Sequence, residues 1–268
     1  MALKLKFFIL ASIQLSELSK ITSIYLDGMS LHSISELKML PHLKYLSACG
    51  NHISDISPLL KCTKLVELCA SENELIKVAH VINSMPSLAL LNLAQNQIVD
   101  LALDKGLVYL HSLNLCGNKI SKIGSYSKLK NLKELYLADN NISDFNELIH
   151  LKNCVQLEIL DITENPFRDK LDNAPKLFIM FHFNHLKALD GYPVDHKDVQ
   201  RAKDIFGGRL TNDFLIEKFG YVTCQCVVYD INLRIFNLSS KHQRYCMTVQ
   251  NSPTVFFNTL LFTHFFRN

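Results

Sequence analysis

The sequence predicts an α/β solenoid in which a curved parallel sheet lines a concave face and helical or irregular turns back it on a convex face. Three observations carry this. Six asparagines, Asn51, Asn73, Asn96, Asn118, Asn140 and Asn165, recur at intervals of 22 or 23 residues and finally 25. Around the asparagines, almost without exception, apolar residues stand at minus 8, minus 5, minus 3, plus 2 and plus 5, as Leu132, Leu135, Leu137, Ile142 and Phe145 do about Asn140. Within each copy the last two leucines before the asparagine alternate with an outward residue, the period of a strand buried on one face.

The elements follow in order. Residues 1–17 hold Lys4 and Lys6, then an apolar run from Phe7 to Leu10 that continues through Ile13 and Leu15 into the first repeat. The run lacks a small-x-small cleavage site, so an amphipathic N-terminal cap is expected here in place of a signal peptide. The first copy keeps the frame with Ile21, Ile24, Leu26, Leu31 and Ile34, but Met29 stands where the asparagine belongs. Copies around Asn51 and Asn118 follow the same offsets, Leu43, Leu46, Ala48, Ile53 and Ile56 in one and Leu110, Leu113, Leu115, Ile120 and Ile123 in the other. Seven copies are expected over residues 18–166. The frame L-x-x-L-x-L-x-x-N-x-L is the sequence form of a leucine-rich repeat. One copy buries too little apolar area to fold alone, so burial becomes continuous only by stacking. Asparagine suits the turn because its short amide offers both donors and an acceptor to backbone groups that lack a strand partner.

After Asn165-Pro166 the frame changes into an apolar block from Leu177 to Phe183, then Leu186-Lys187-Ala188-Leu189-Asp190-Gly191. Residues 167–194 are expected to cap the array, with Leu186 and Leu189 copying one last strand. This N-P, apolar helical stretch and L-x-x-L-D-G resemble the cap of the SDS22-like leucine-rich repeat proteins, an intracellular group. The resemblance covers about residues 18–194. It implies a cytoplasmic, non-catalytic scaffold that binds protein partners. The group also contains a protein phosphatase regulator, a spliceosomal subunit and axonemal dynein factors, so it equally admits a phosphatase regulatory subunit or an axonemal or ciliary assembly factor, in a cilium or the nucleus. Ala202 to Thr211 is similar to the segment after the first repeat block of a larger member of that group. Residues 195–220 are expected as a helical extension, one helix over residues 195–206 stopped by Gly207 and a second from Thr211 to Phe219. Residues 221–268 carry no ladder asparagine with its frame, and a divergent, poorly ordered tail is expected. Its apolar stretch from Val255 to Phe266 is short of the roughly 20 residues that span a bilayer.

Charge and cysteine usage narrow the function. The net charge of +3 comes from the tail, where Arg234, Lys241, Arg244 and Arg267 face Asp230. The remainder is neutral, which argues against a nucleic-acid partner. Lys119, Lys122, Lys128, Lys130 and Lys133 form a local group that reads as a solvated outer face. The eight cysteines track the repeat, Cys49 and Cys116 at equivalent positions, and no pairing scheme is expected, which favours a reducing compartment. No phosphate-loop, nucleophile-elbow or zinc-protease motif occurs, so the chain is expected not to be an enzyme and to need no cofactor. His182 and His185 lie in the apolar cap, and Cys224, Cys226 and Cys246 are too scattered for a convincing site, so no metal is assigned. Asp161 with Glu164, and Glu134 with Asp139, have no base or nucleophile beside them and read as surface.

What remains is the outward side of the strands, at minus 6, minus 4 and minus 2 from each ladder residue. There Tyr25, Tyr45 and Tyr136 offer amphipathic anchors, and Glu67, Glu134 and Asp161 offer charge. Asn92 and Asn114 offer amides, and Cys69, Leu90 and Ile159 offer apolar contact. Aromatic and adaptable polar groups on a rigid curved sheet suit recognition of a protein by a monomeric solenoid.

Overall fold

The computed structural model describes residues 18, 20–103, 107–167, 174–183 and 185–206. The expected cap over residues 1–17, the second helix after Thr211, the tail and its three cysteines lie outside the described residues.

Among those described, nine strands form one sheet in chain order. β1 (Ser23–Tyr25), β2 (Tyr45–Ser47), β3 (Glu67–Cys69), β4 (Leu90–Asn92), β5 (Ser112–Asn114), β6 (Glu134–Tyr136) and β7 (Ile159–Asp161) are three residues each. They run parallel, as does β8 (Ala188–Leu189), while β9 (Tyr192–Pro193) turns back antiparallel to β8. The register aligns the minus 5 residues into one column, Leu46, Leu68, Leu91, Leu113, Leu135, Leu160 and Leu189. Every member is buried, so the core runs unbroken through the stack.

Each strand ends at a fixed turn. The residue just before every ladder position is left-handed: Gly28, Gly50 and Gly117 are glycines, whereas Glu72, Gln95, Asp139 and Glu164 adopt the same φ near 53° with a side chain. The ladder side chain that follows is buried and makes four bonds. Asn118 shows the set: its amide nitrogen donates to the carbonyls of Leu115, Cys116 and, in the preceding repeat, Leu93, while its oxygen accepts from the Ile98 nitrogen. Asn51, Asn73, Asn96, Asn140 and Asn165 repeat this scheme onto Leu31, Ile53, Leu75, Ile120 and Ile142. The ladder therefore runs from side chain to neighbouring backbone, not from amide to amide.

The convex side takes up the differences in repeat length. Two of the 22-residue repeats return through short 3-10 helices, Ser57–Lys61 and Gly124–Lys128, matching the Ser35–Met39 turn of the first copy. The 23-residue copy has room for a turn of α-helix, α1 (Ala79–Ile82), and the 25-residue copy for the nine-residue Phe145–Asn153. The strand and turn half cannot stretch without breaking the ladder, so inserted residues go to the back. One core column there, eleven residues before each ladder asparagine, holds Leu40, Cys62, Met85, Leu107, Leu129 and Cys154, all buried. Cys62 and Cys154 thus replace leucines, their thiols meeting carbonyls of the preceding repeat at 3.5 and 3.3 Å.

At the C-terminal end, α2 (Ala174–His182) places Leu177, Ile179 and Met180 over the last repeat with Phe167, Phe183 and Leu186. Inside the array the nitrogen of each minus 3 residue bonds the next strand's carbonyl, as Leu137 bonds Asp161. Beside Ile162 the next strand, β8, has already ended at Leu189, and the carboxylate of the following Asp190 accepts the Ile162 nitrogen at 3.1 Å. Asp190 and Gly191 are left-handed and turn the chain into β9, which covers the exposed edge. The helix expected from residue 195 is α3 (His196–Phe206), its first turn capped by the Asp195 carboxylate at the Lys197 nitrogen. It packs on α2, tied by Lys176–Asp198 at 3.0 Å.

Candidate protein-binding face

Alternation along seven short strands aims two rows of side chains out of the concave side. One row runs Ser23, Tyr45, Glu67, Leu90, Ser112, Glu134, Ile159, and the other Tyr25, Ser47, Cys69, Asn92, Asn114, Tyr136, Asp161. All eleven residues nominated from sequence lie in these rows. Their exposure differs. Tyr25 is 72% exposed and Tyr45 37%, Glu67 is exposed, and the others are half-buried between neighbours.

Several nominated residues hold bonds within the chain. Asn92, Asn114 and Asp161 each accept from the backbone nitrogen two residues on, at 3.0–3.1 Å, bracing the strand exit. Asp161 also accepts from the Thr163 hydroxyl, and Glu134 accepts from Ser112 of the neighbouring strand. These oxygens are partly spent on the fold. Tyr25, Tyr45 and Glu67 make no side-chain hydrogen bond among the described residues and stand more exposed than the rest. The face also holds residues that no reading of the chain singled out. Asp27 accepts from the Ser47 hydroxyl and the Cys49 nitrogen across the first two strands. Its place two before Met29 was the available signal.

Cys49 and Cys69 lie beside one another on this face, with Cα atoms 6.2 Å apart. Their separation of 20 residues is one repeat less two. Both side chains therefore point outward from adjacent copies, on a diagonal that residue-by-residue reading of the repeat does not reveal. Cys116, at the position equivalent to Cys49, is a free thiol.

The local field on the face is negative. Partial burial raises the Tyr136 phenol above its usual range, and the carboxylates of Glu134 and Asp161 push it further. Burial likewise raises the Cys116 thiol, with Asp161 and Asp139 adding to the shift. Among the described residues no three His, Cys, Asp or Glu gather as metal ligands, and no helix is long and apolar enough to cross a membrane.

Known proteins share this architecture. A family model described as "Leucine Rich repeats (2 copies)" matches residues 110–150 and 130–176. An internalin, InlF, from Listeria monocytogenes aligns with a TM-score of 0.59 at 23% identity, over 72% of this chain and 56% of that one. Internalin C2 of the same organism gives 0.56 at 25% identity, over 71% and 80%. A leucine-rich repeat protein of Leptospira interrogans gives 0.55 at 24% identity, over 72% and 49%. Leucine-rich repeat-containing protein 23 of Bos taurus is 37% identical over 70 residues, which is 26% of this chain and 20% of that protein. The fold is a leucine-rich repeat solenoid. The curated match spans only about a fifth of its relative's length.

Proposed function

We propose that this solenoid is a non-catalytic scaffold that binds a protein partner on its concave face and acts as a monomer. The observation that carries the reading is a division of labour along the repeat. The leucines and asparagines are consumed internally, while Tyr25, Tyr45 and Glu67 are held outward on a rigid sheet that needs none of them to fold. Large amphipathic rings are among the groups that most often dominate protein interfaces.

The ending after Asn165 still resembles the SDS22-like cap, and the segment Ala202 to Thr211 resembles leucine-rich repeat-containing protein nine. On that likeness the proposed compartment is the cytoplasm, with axonemal or ciliary duty as the narrower form. The compartment rests on that resemblance and on cysteines that follow the repeat.

Replacing Tyr45, Glu67 and Tyr136 with alanine together tests the face. The expected result is loss of partner capture from lysate with nearly unchanged thermal unfolding. Retained capture by a folded variant contradicts the assignment.

A further inference from the structure

The outward face has a charge pattern that the fold does not require. Lysines and arginines outnumber acids over the whole chain, 28 to 25, yet every charged residue at the outward positions of β1 to β7 and their exits is an acid: Asp27, Glu67, Glu134 and Asp161. The left-handed column along the exit rim adds Glu72, Asp139 and Glu164, again with no cation. Lys44, Lys133 and Lys187 stand one residue before their strands and Lys119 one residue after its ladder asparagine, all outside the outward rows.

The bonds of these acids sharpen the contrast. Away from the face, carboxylates meet lysines: Glu147 with Lys122 at 2.9 Å, Glu158 with Lys187 at 2.7 Å, Asp198 with Lys176 at 3.0 Å. On the face the hydrogen-bond partners are neutral, Ser47 and the Cys49 nitrogen for Asp27, Ser112 for Glu134, Thr163 for Asp161. Such bonds orient a carboxylate without cancelling its charge.

Aromatic rings sit beside the acids. Tyr45 is the direct register neighbour of Glu67, and Tyr136 that of Asp161. A ring face next to a carboxylate is a seat for a lysine or arginine, combining a cation–π contact with an ion pair. Tyr45 and Tyr136 lie four strands apart, about 19 Å at the usual strand spacing, which an extended segment covers in about six residues.

We propose that the concave face takes an extended, lysine- and arginine-rich segment of a protein partner, with cations seated at the Tyr45–Glu67 and Tyr136–Asp161 pairs. This deepens, and rests on, the reading of the face as a docking surface.

The test uses the full chain and a fluorescent peptide carrying arginines about six residues apart in a glycine and serine background, followed by anisotropy. The arginine peptide binds and weakens as salt rises, while its glutamate counterpart does not bind. The variant Glu67→Gln, Glu134→Gln, Asp161→Asn keeps the Ser112 and Thr163 acceptors but removes three charges, and raises Kd by about tenfold or more. Glu74→Lys, off this face, leaves Kd within about twofold. Absence of arginine-peptide binding, or equal affinity in the neutralised variant with an unchanged unfolding midpoint, overturns the basic-segment proposal. If that occurs while the alanine variant of Tyr45, Glu67 and Tyr136 still loses its captured protein, the docking face stands and only the partner's chemistry is wrong.

Discussion

Each ladder asparagine closes two repeats with four hydrogen bonds made in a buried turn. Asn118→Ala leaves the Ile98 nitrogen and three carbonyls short of partners, and should cost about 3 kcal/mol, since a buried unsatisfied group costs roughly 1–3 kcal/mol. Urea unfolding checks this. The left-handed column gives a paired prediction. Gly117→Ala places a Cβ where φ is +65° and against the Gln95 side chain, costing about 1–2 kcal/mol. Glu72→Gly relieves the same strain at φ 53° and should raise stability by roughly 0.5 kcal/mol after the entropy of glycine is subtracted. The ladder was legible because asparagine's spacing and frame recur together. The left-handed column was not, since Glu72, Gln95, Asp139 and Glu164 hide a backbone requirement that only Gly28, Gly50 and Gly117 advertise. Tyr126 was hidden similarly: it fills a leucine position, fully buried, with no partner for its hydroxyl among the described residues. Tyr126→Phe should leave stability unchanged or raise it by about 1 kcal/mol.

At the scale of the element, strands and turns are constant and the convex returns vary. The strand half was readable from the L-x-L period. The returns were not, because Ser57–Lys61 and Ala79–Ile82 differ by one inserted residue, too little for a helical pattern to register. Cysteine roles also separate here. Cys62 and Cys154 belong to a core column, where burial pushes their thiols from 9.0 up to about 11. The folded chain keeps these protons while the unfolded chain releases them near pH 9.0. Their contribution is therefore complete below that pH and is lost as pH rises toward about 11. Cys62→Val with Cys154→Val should flatten the alkaline fall of the urea midpoint, and an unchanged slope would contradict the column assignment. Cys49 and Cys69 meet across a diagonal between adjacent repeats, a relation set by strand register and absent from the linear frame.

Over the whole molecule, stacking turns one repeat's weak surface into a continuous face. Composition showed a near-neutral chain, but only the register shows that the charged residues gathered on the outward rows are all acids, while the lysine-paired carboxylates lie elsewhere. The positions nominated from sequence lie on the outward rows because period two assigns a side without ambiguity. Their relative importance was not legible, since Asn92, Asn114 and Asp161 turned out to brace their own turns. The central claim is that the partner sits in the concavity. Site-specific photo-crosslinking from position 45 on β2, compared with position 99 on the outer surface, tests it most directly, since both natural residues, Tyr45 and Val99, are exposed. A defined adduct is expected from position 45 and none from position 99; adducts from position 99 alone would place the partner away from the concave strands and contradict docking there.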